Sequence, residues 1–243
     1  MMTVNKDRLA RDAGEWRNTT IAVEAFKKSR SQPQDVAIYL EDEPDATYGA
    51  IAEEALRLIA ALRGLGLSAG DVISFQFPNW REGAVVDIAA AALGLVVNPI
   101  VPIYRDAELR FILSDAESKL ILIPDQHRSI DYVNMISRLR PELPSLEHVV
   151  TLRATAEYPN TIQYEQLIDC KPADESSLPA IDPNSIKCRL YTSGTTGFPK
   201  AVLHSHNTLT RILDNTSDHS GTNSTDVMIM PSPITHITGY SSG

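Results

Sequence analysis

Short apolar runs alternate along the chain with longer stretches in which apolar residues recur every three or four positions. The runs predict strands at Val36–Leu40, Val72–Phe77, Leu95–Pro99, Lys119–Ile123 and His148–Leu152. Between the first two, Ile51, Ala55, Ile59 and Leu62 share one helical face, with Thr47 as its cap and Gly64 and Gly66 as its stop. A turn at 68–71 leads into the strand at Val72. Arg81–Leu93 is apolar almost all round, which predicts a helix buried on several sides. Asp106 is the expected cap of a short helix through Ser114, Ser129–Arg140 forms another that Pro141 ends, and Ile162–Ile168 a further short one. Repeated strand–helix order predicts an α/β fold, a layered sandwich around mostly parallel sheets. Strands as apolar as Leu120–Ile123 suit a sheet covered on both faces.

Lys171–Asn184 breaks this rhythm, being rich in proline, serine and acidic residues. It predicts a surface connection and a boundary, with residues 1–184 as a first α/β subdomain and 185–243 as the start of a second. Beyond it the pattern predicts a strand at Ser185–Tyr191, a polar loop at Thr192–Lys200 and a strand at Ala201–His204. A helix from about Asn207 and a strand at Val227–Met230 follow. So few strands after residue 184 would leave apolar edges uncovered, so the chain reads as the N-terminal portion of something longer.

Composition narrows the classes. Hydrophobic residues make 43% of the 243 and charged residues 22%, which excludes a disordered chain, a collagen-like fibre and a coiled coil. The 22 Lys and Arg against 31 Asp and Glu give a formal charge of -9, unsuited to a general nucleic-acid or anionic-membrane binder, although a local basic pocket is compatible with it. The most apolar stretch, Ile88–Val97, is far shorter than the roughly 20 residues a bilayer span needs. Met1–Trp16 lacks the apolar core of a secretory signal. Two cysteines, Cys170 and Cys188, make no disulfide framework or metal-ligand spacing, which points to a reducing, cytoplasmic setting.

The candidate chemistry lies in Tyr191-Thr-Ser-Gly-Thr-Thr-Gly-Phe-Pro-Lys200, where the hydroxyls of Thr192, Ser193, Thr195 and Thr196, two glycines (Gly194 and Gly197) and Lys200 fall within ten residues. Glycines let backbone approach a ligand closely, and successive amides in such a turn form an anion-binding concavity. The spacing is not that of the common nucleoside-triphosphate loop, because Lys200 is followed by Ala201 and a strand-like run. From the residues alone, a phosphate cradle and a polar surface turn stand equally open. Other side chains take plainer readings. His204 and His206 read as capping or packing residues at a strand-to-helix junction before they read as support for the loop. His127, His148 and His219 read as surface or strand-edge residues, Trp16 and Trp80 as packing, Cys188 as a buried small residue, and Asp214 and Asp218 as a solvated helix face.

Tyr191–Lys200 closely resembles the signature loop of the adenylate-forming, AMP-binding superfamily, which includes acyl-CoA synthetases, luciferases and peptide-synthetase adenylation domains. The resemblance extends through "LRGLGLSAGD", Pro78-Asn79, the "NPIVP" of Gly94–Tyr104, "AVLHSHNTL" and "MPSPITHITGYSSG", the last built around His236 and Gly239. It implies a ligase that activates a carboxylic acid with Mg-ATP as an acyl-adenylate and passes the acyl group to coenzyme A, with fatty acids of short or medium length, or alicyclic acids, as the nearest class. By the same resemblance Thr192, Ser193, Gly194, Thr195, Thr196, Gly197 and Lys200 hold the β- and γ-phosphates, Thr192 helps ligate Mg²⁺, and Lys200 and His236 act in catalysis, His236 where the carboxylate meets the α-phosphate. Many members carry glycine where this chain has Ala201. The resemblance also leaves open an adenylation domain loading a carrier protein and, were the chain complete, a non-catalytic nucleotide-binding module.

Overall fold

A computed structural model describes residues 16–41, 43–192 and 199–242. Helix α1 (Ile21–Ser31) starts where the Thr20 hydroxyl accepts from the Val23 N–H. A two-stranded ribbon of β1 (Val36–Ile38) and β2 (Ala46–Thr47) follows, and Thr47 caps α2 (Tyr48–Gly64) through the Ala50 N–H, as its sequence position predicts. Then β3 (Val72–Phe75), α3 (Glu82–Leu93), β4 (Val96–Pro99), α4 (Asp106–Ala116) and β5 (Leu120–Pro124) alternate. Gly94 ends α3 at φ +69°, a left-handed conformation that glycine adopts without strain. The expected cap of α4 moves by one residue: Arg105 holds the cap position, its N–H bonded by Glu108, and Asp106 is already helical.

The predicted helix at 129–140 is shorter than its periodicity. Arg128 takes φ +55°, so β6 (Gln126–His127) and β7 (Ile130–Asp131) close a small antiparallel ribbon before α5 (Tyr132–Leu139) begins on its Asp131 cap. After β8 (His148–Leu152), the segment predicted as one helix from Ile162 splits. Ile162–Gln163 pairs with β8 as the parallel edge strand β9, which leaves only α6 (Tyr164–Leu167) helical. The chain then runs through β10 (Ile186–Thr192), β11 (Lys200–Ser205), α7 (His206–Ser220) and α8 (Ile237–Ser242). Val227–Met230, predicted as a strand, forms none. Among the described residues it has no ladder partner, and Ile229 is 86% exposed.

One sheet organises the molecule, in the order β11-β10-β4-β3-β5-β8-β9, parallel throughout except for the β10–β11 pair. β10 therefore continues the sheet of the preceding strands through its pairing with β4. Alternate residues of β5 divide two cores: Leu120 and Leu122 pack with α1, α2 and α3, and Ile121 and Ile123 with α4 and α5. Both faces are covered, as the apolar strands predict. Polar side chains within the sheet bond one another in part: Asn98 donates to Ser74, whose hydroxyl meets that of Ser118 at 2.5 Å, while Asn98 Oδ1 is buried without a partner among the described residues.

Candidate functional site

The predicted phosphate loop joins the ends of an antiparallel hairpin. Thr192 and Lys200 face each other as the last ladder pair of β10 and β11, with Tyr191 opposite Ala201. Both Thr192 and Lys200 are exposed. Ser193, Gly194, Thr195, Thr196 and Gly197 lie outside the described residues. Ala201 sits in regular strand pairing, where an alanine is accommodated as readily as a glycine.

Two aromatic and ionic contacts fix the base of the hairpin. Tyr191 Oη donates to Asp115 at the end of α4 at 2.5 Å, and Arg189 reaches the same carboxylate at 3.0 Å. Burial and the Asp115 carboxylate push the Tyr191 phenol up, so it stays a proton donor. The loop thus springs from a strand end tied to α4.

His236 stands on a separate segment, exposed, at the entry to α8. The segment before it is held by Asn79, which donates to the carbonyls of Met230 (3.3 Å) and Ser232 (2.9 Å) and accepts from the Ile234 N–H at 2.8 Å. The Thr238 N–H donates to His236 Nδ1 at 3.3 Å. In the neutral ring this bond assigns the proton to Nε2, which leaves an N–H donor free of the helix cap. Gly239 is required by contact: a Cβ there would lie 2.1 Å from the Pro233 carbonyl oxygen. The structure thus brings Thr192 and Lys200 together across one ladder rung and places His236 on a turn of its own.

Sequence reasoning missed the charged groups buried beneath this region. Lys187 of β10 is 1% exposed, and its Nζ donates to Asp87 of α3 at 2.5 Å and meets Tyr240 Oη of α8 at 3.1 Å. Tyr240 also donates to Asp87. Burial, then Asp87, drives the Tyr240 phenol well up, and burial pushes the neighbouring Cys188 thiol up to about 12, so neither ionises near neutrality. A lysine beside Cys188 in the strand predicted at Ser185–Tyr191 and an aspartate inside the apolar α3 were the available signals.

The other predicted side chains resolve as follows. His206 is buried in the first turn of α7, whose cap is Ser205 accepting from the Thr208 N–H, in keeping with a packing role. Trp80 stacks on Phe77, carries the Arg153 guanidinium 4.3 Å from its ring centre and meets the edge of His127. Asp214 pairs with Arg17, whereas Asp218 is exposed. Among the described residues no cluster of three His, Cys, Asp or Glu could hold a metal ion, and no helix is long and apolar enough to cross a membrane.

A family model described as "AMP-binding enzyme" matches residues 25–243. The medium-chain fatty-acid–CoA ligase of Escherichia coli K12 is 30% identical over all of this chain and 43% of its own length. The salicyl-AMP ligase / salicyl-S-ArCP synthetase of Mycobacterium tuberculosis is 30% identical over 82% of this chain and 36% of its own length. The apo structure of MbtA from Mycobacterium smegmatis superposes with a TM-score of 0.81 at 23% identity, covering 97% of this chain and 44% of that one, a likeness of fold. The chain therefore spans less than half the length of these relatives.

Proposed function

The chain belongs to the AMP-binding enzyme family, and from that premise we propose that it is the nucleotide-handling portion of a ligase that joins a carboxylic acid to coenzyme A through an acyl-adenylate. The observation that carries the reading is the β10–β11 hairpin, whose last rung presents Thr192 and Lys200 at the two ends of the Ser193–Pro199 connection. In the first step a carboxylate oxygen attacks the α-phosphorus of ATP, and the bond to the β-phosphate oxygen breaks to release pyrophosphate. In the second a thiol sulfur attacks the acyl carbon, AMP leaves, and the thiol proton passes to solvent.

Two anions must meet in the first step, so the protein's work is to neutralise and orient. Lys200 supplies a positive charge to the β- and γ-phosphates, together with the hydroxyls and amides of Thr192, Ser193, Gly194, Thr195, Thr196 and Gly197. His236 offers its Nε2–H to an oxygen on the α-phosphate, and its side chain orients the acyl group. Magnesium would accompany ATP in this reading, keeping most of its positions for water and substrate phosphate. Thr192 would be its protein ligand, and the ion would neutralise charge on the phosphate oxygens. A fatty acid of medium length is the proposed substrate, supported by the Escherichia coli relative's name. A reducing, cytoplasmic setting accords with the free thiols Cys170 and Cys188. The division at 184/185 into a first and a second subdomain belongs to the same proposal.

Acid-dependent ATP–pyrophosphate exchange by the full-length protein, across aliphatic, alicyclic and aromatic acids, tests the reading. Exchange with medium-chain acids supports it, and absence of exchange with every acid rejects it. A second reading, transfer to a carrier-protein thiol, draws on the salicyl-S-ArCP synthetase relative. Thioester formation on a carrier protein but not on free coenzyme A would favour that alternative.

A further inference from the structure

β10 is not a regular strand. Ile186 pairs with Ser205 and Cys188 with His204, so Lys187 is an extra residue on its side of the ladder. A bulge re-aims the side chain it inserts. Here Lys187 and Cys188 are successive residues yet both buried, at 1% and 0% exposure. The bulge turns the Lys187 ammonium toward α3 and α8, where Asp87 and Tyr240 close a three-way set of bonds with it.

Stability alone gives such a cluster little reason to exist. Apolar side chains of similar volume in place of a buried ion pair often leave a protein as stable or more so, whereas directional bonds between charged groups specify one geometry. The element that needs specifying is α8. Its described residues, Ile237–Ser242, are tied to the rest of the fold on both sides of His236. Asn79 holds the chain before His236, and Tyr240 holds the chain after it. The Tyr240 N–H also donates to the His236 carbonyl at 2.8 Å, so a shift of Tyr240 is felt at His236 within one turn.

We propose that Lys187, Asp87 and Tyr240 are positioning residues: together they lock α8 against β10 and so set the His236 imidazole relative to the hairpin end that carries Thr192 and Lys200. The inference rests on the adenylation reading above. Lys187 lies on the very strand that ends at Thr192, so one strand carries both the phosphate-side residue and the anchor of the histidine helix. Any displacement of α8 then changes the spacing between the two halves of the site.

Kinetics of the full-length protein test this. Tyr240→Phe removes one hydroxyl and keeps the ring in the core. It is expected to lower kcat for acid-dependent exchange about 10- to 100-fold, the scale of a small misplacement of a reacting group, with KM for ATP and Tm near wild type. In a His236→Ala background the same change is expected to cost nothing further, because both act through one imidazole. The paired replacement Asp87→Leu with Lys187→Met keeps the site filled and is expected to fold and to be equally slow. Wild-type kcat in either variant, or a loss from Tyr240→Phe that multiplies with that of His236→Ala, overturns the positioning role. Absence of exchange in the wild-type protein overturns the adenylation reading and this inference with it, whereas exchange that the variants leave untouched overturns this inference alone.

Discussion

The His236 imidazole has two occupations that a single substitution separates. Nδ1 accepts from the Thr238 N–H as a cap for α8, which leaves Nε2 of the exposed side chain as a donor. His236→Ala removes both, but loss of a cap costs only about 1 kcal/mol of stability. The expected result is a protein of nearly unchanged Tm in which the acyl-adenylate forms more slowly while ATP binding is largely kept. Equal losses in rate and in ATP affinity would make His236 structural. Lys200 offers the complementary case. It is exposed, so Lys200→Ala is expected to shift unfolding free energy by no more than about 0.5 kcal/mol, the usual range for surface changes. Pyrophosphate release that depends on acid should fall in that variant, with KM for ATP raised. Release at the wild-type rate would remove Lys200 from the phosphate site.

At the scale of elements, the junction of β11 and α7 buries a group that titrates. Burial in the first place, and the Lys187 charge in the second, lower the His206 pKa from its ordinary value of 6.5 to about 4. The folded state therefore resists protonation that the unfolded chain accepts. The stability this group contributes is complete above pH 6.5, declines as pH falls from 6.5 to 4, and levels off below 4. A loss of up to about 3 kcal/mol follows across that window, at roughly 1.4 kcal/mol per unit of pKa difference. Denaturant melts of the wild type and of His206→Gln at stepped pH check this, and the variant should show a flatter slope between 6.5 and 4. An equal slope in both would assign the acid sensitivity elsewhere. The same elements show what a sequence conveys. The β3–α3–β4 unit and the Thr47 cap were legible because long apolar patterns and caps are local signals. The start of the helix predicted from Ser129 was not, because the left-handed Arg128 closes a ribbon that no periodicity announces. Val227–Met230 carries a strand's composition, but a strand also needs a partner for its backbone, and that partner is a tertiary fact. In the site, the loop and His236 were legible as motif, whereas the Lys187 bulge depends on how Ile186 and Cys188 pair across the ladder.

The described residues place two apolar layers on the seven-stranded sheet, and β5 belongs to both. Leu122 is 1% exposed in the layer of α1, α2 and α3, and Ile123 is fully buried in the layer of α4 and α5. Truncating either to alanine should cost about 2–5 kcal/mol, as for large-to-small changes in a packed core. The informative quantity is how far the damage spreads. If the sheet transmits it, Leu122→Ala should speed hydrogen exchange not only in α2 but also across the sheet in α5. Ile123→Ala should likewise loosen α2 as well as α5, because either layer opens only when β5 loses its ladders to β3 and β8. If each variant loosened only the helices on its own face, the layers would be separate cooperative units, and the sheet a passive partition. Native-state exchange on the full-length protein distinguishes these outcomes amide by amide. Shared loosening is expected, since β5 pairs with neighbours on both sides over most of its length and its ladder bonds cannot break for one face alone.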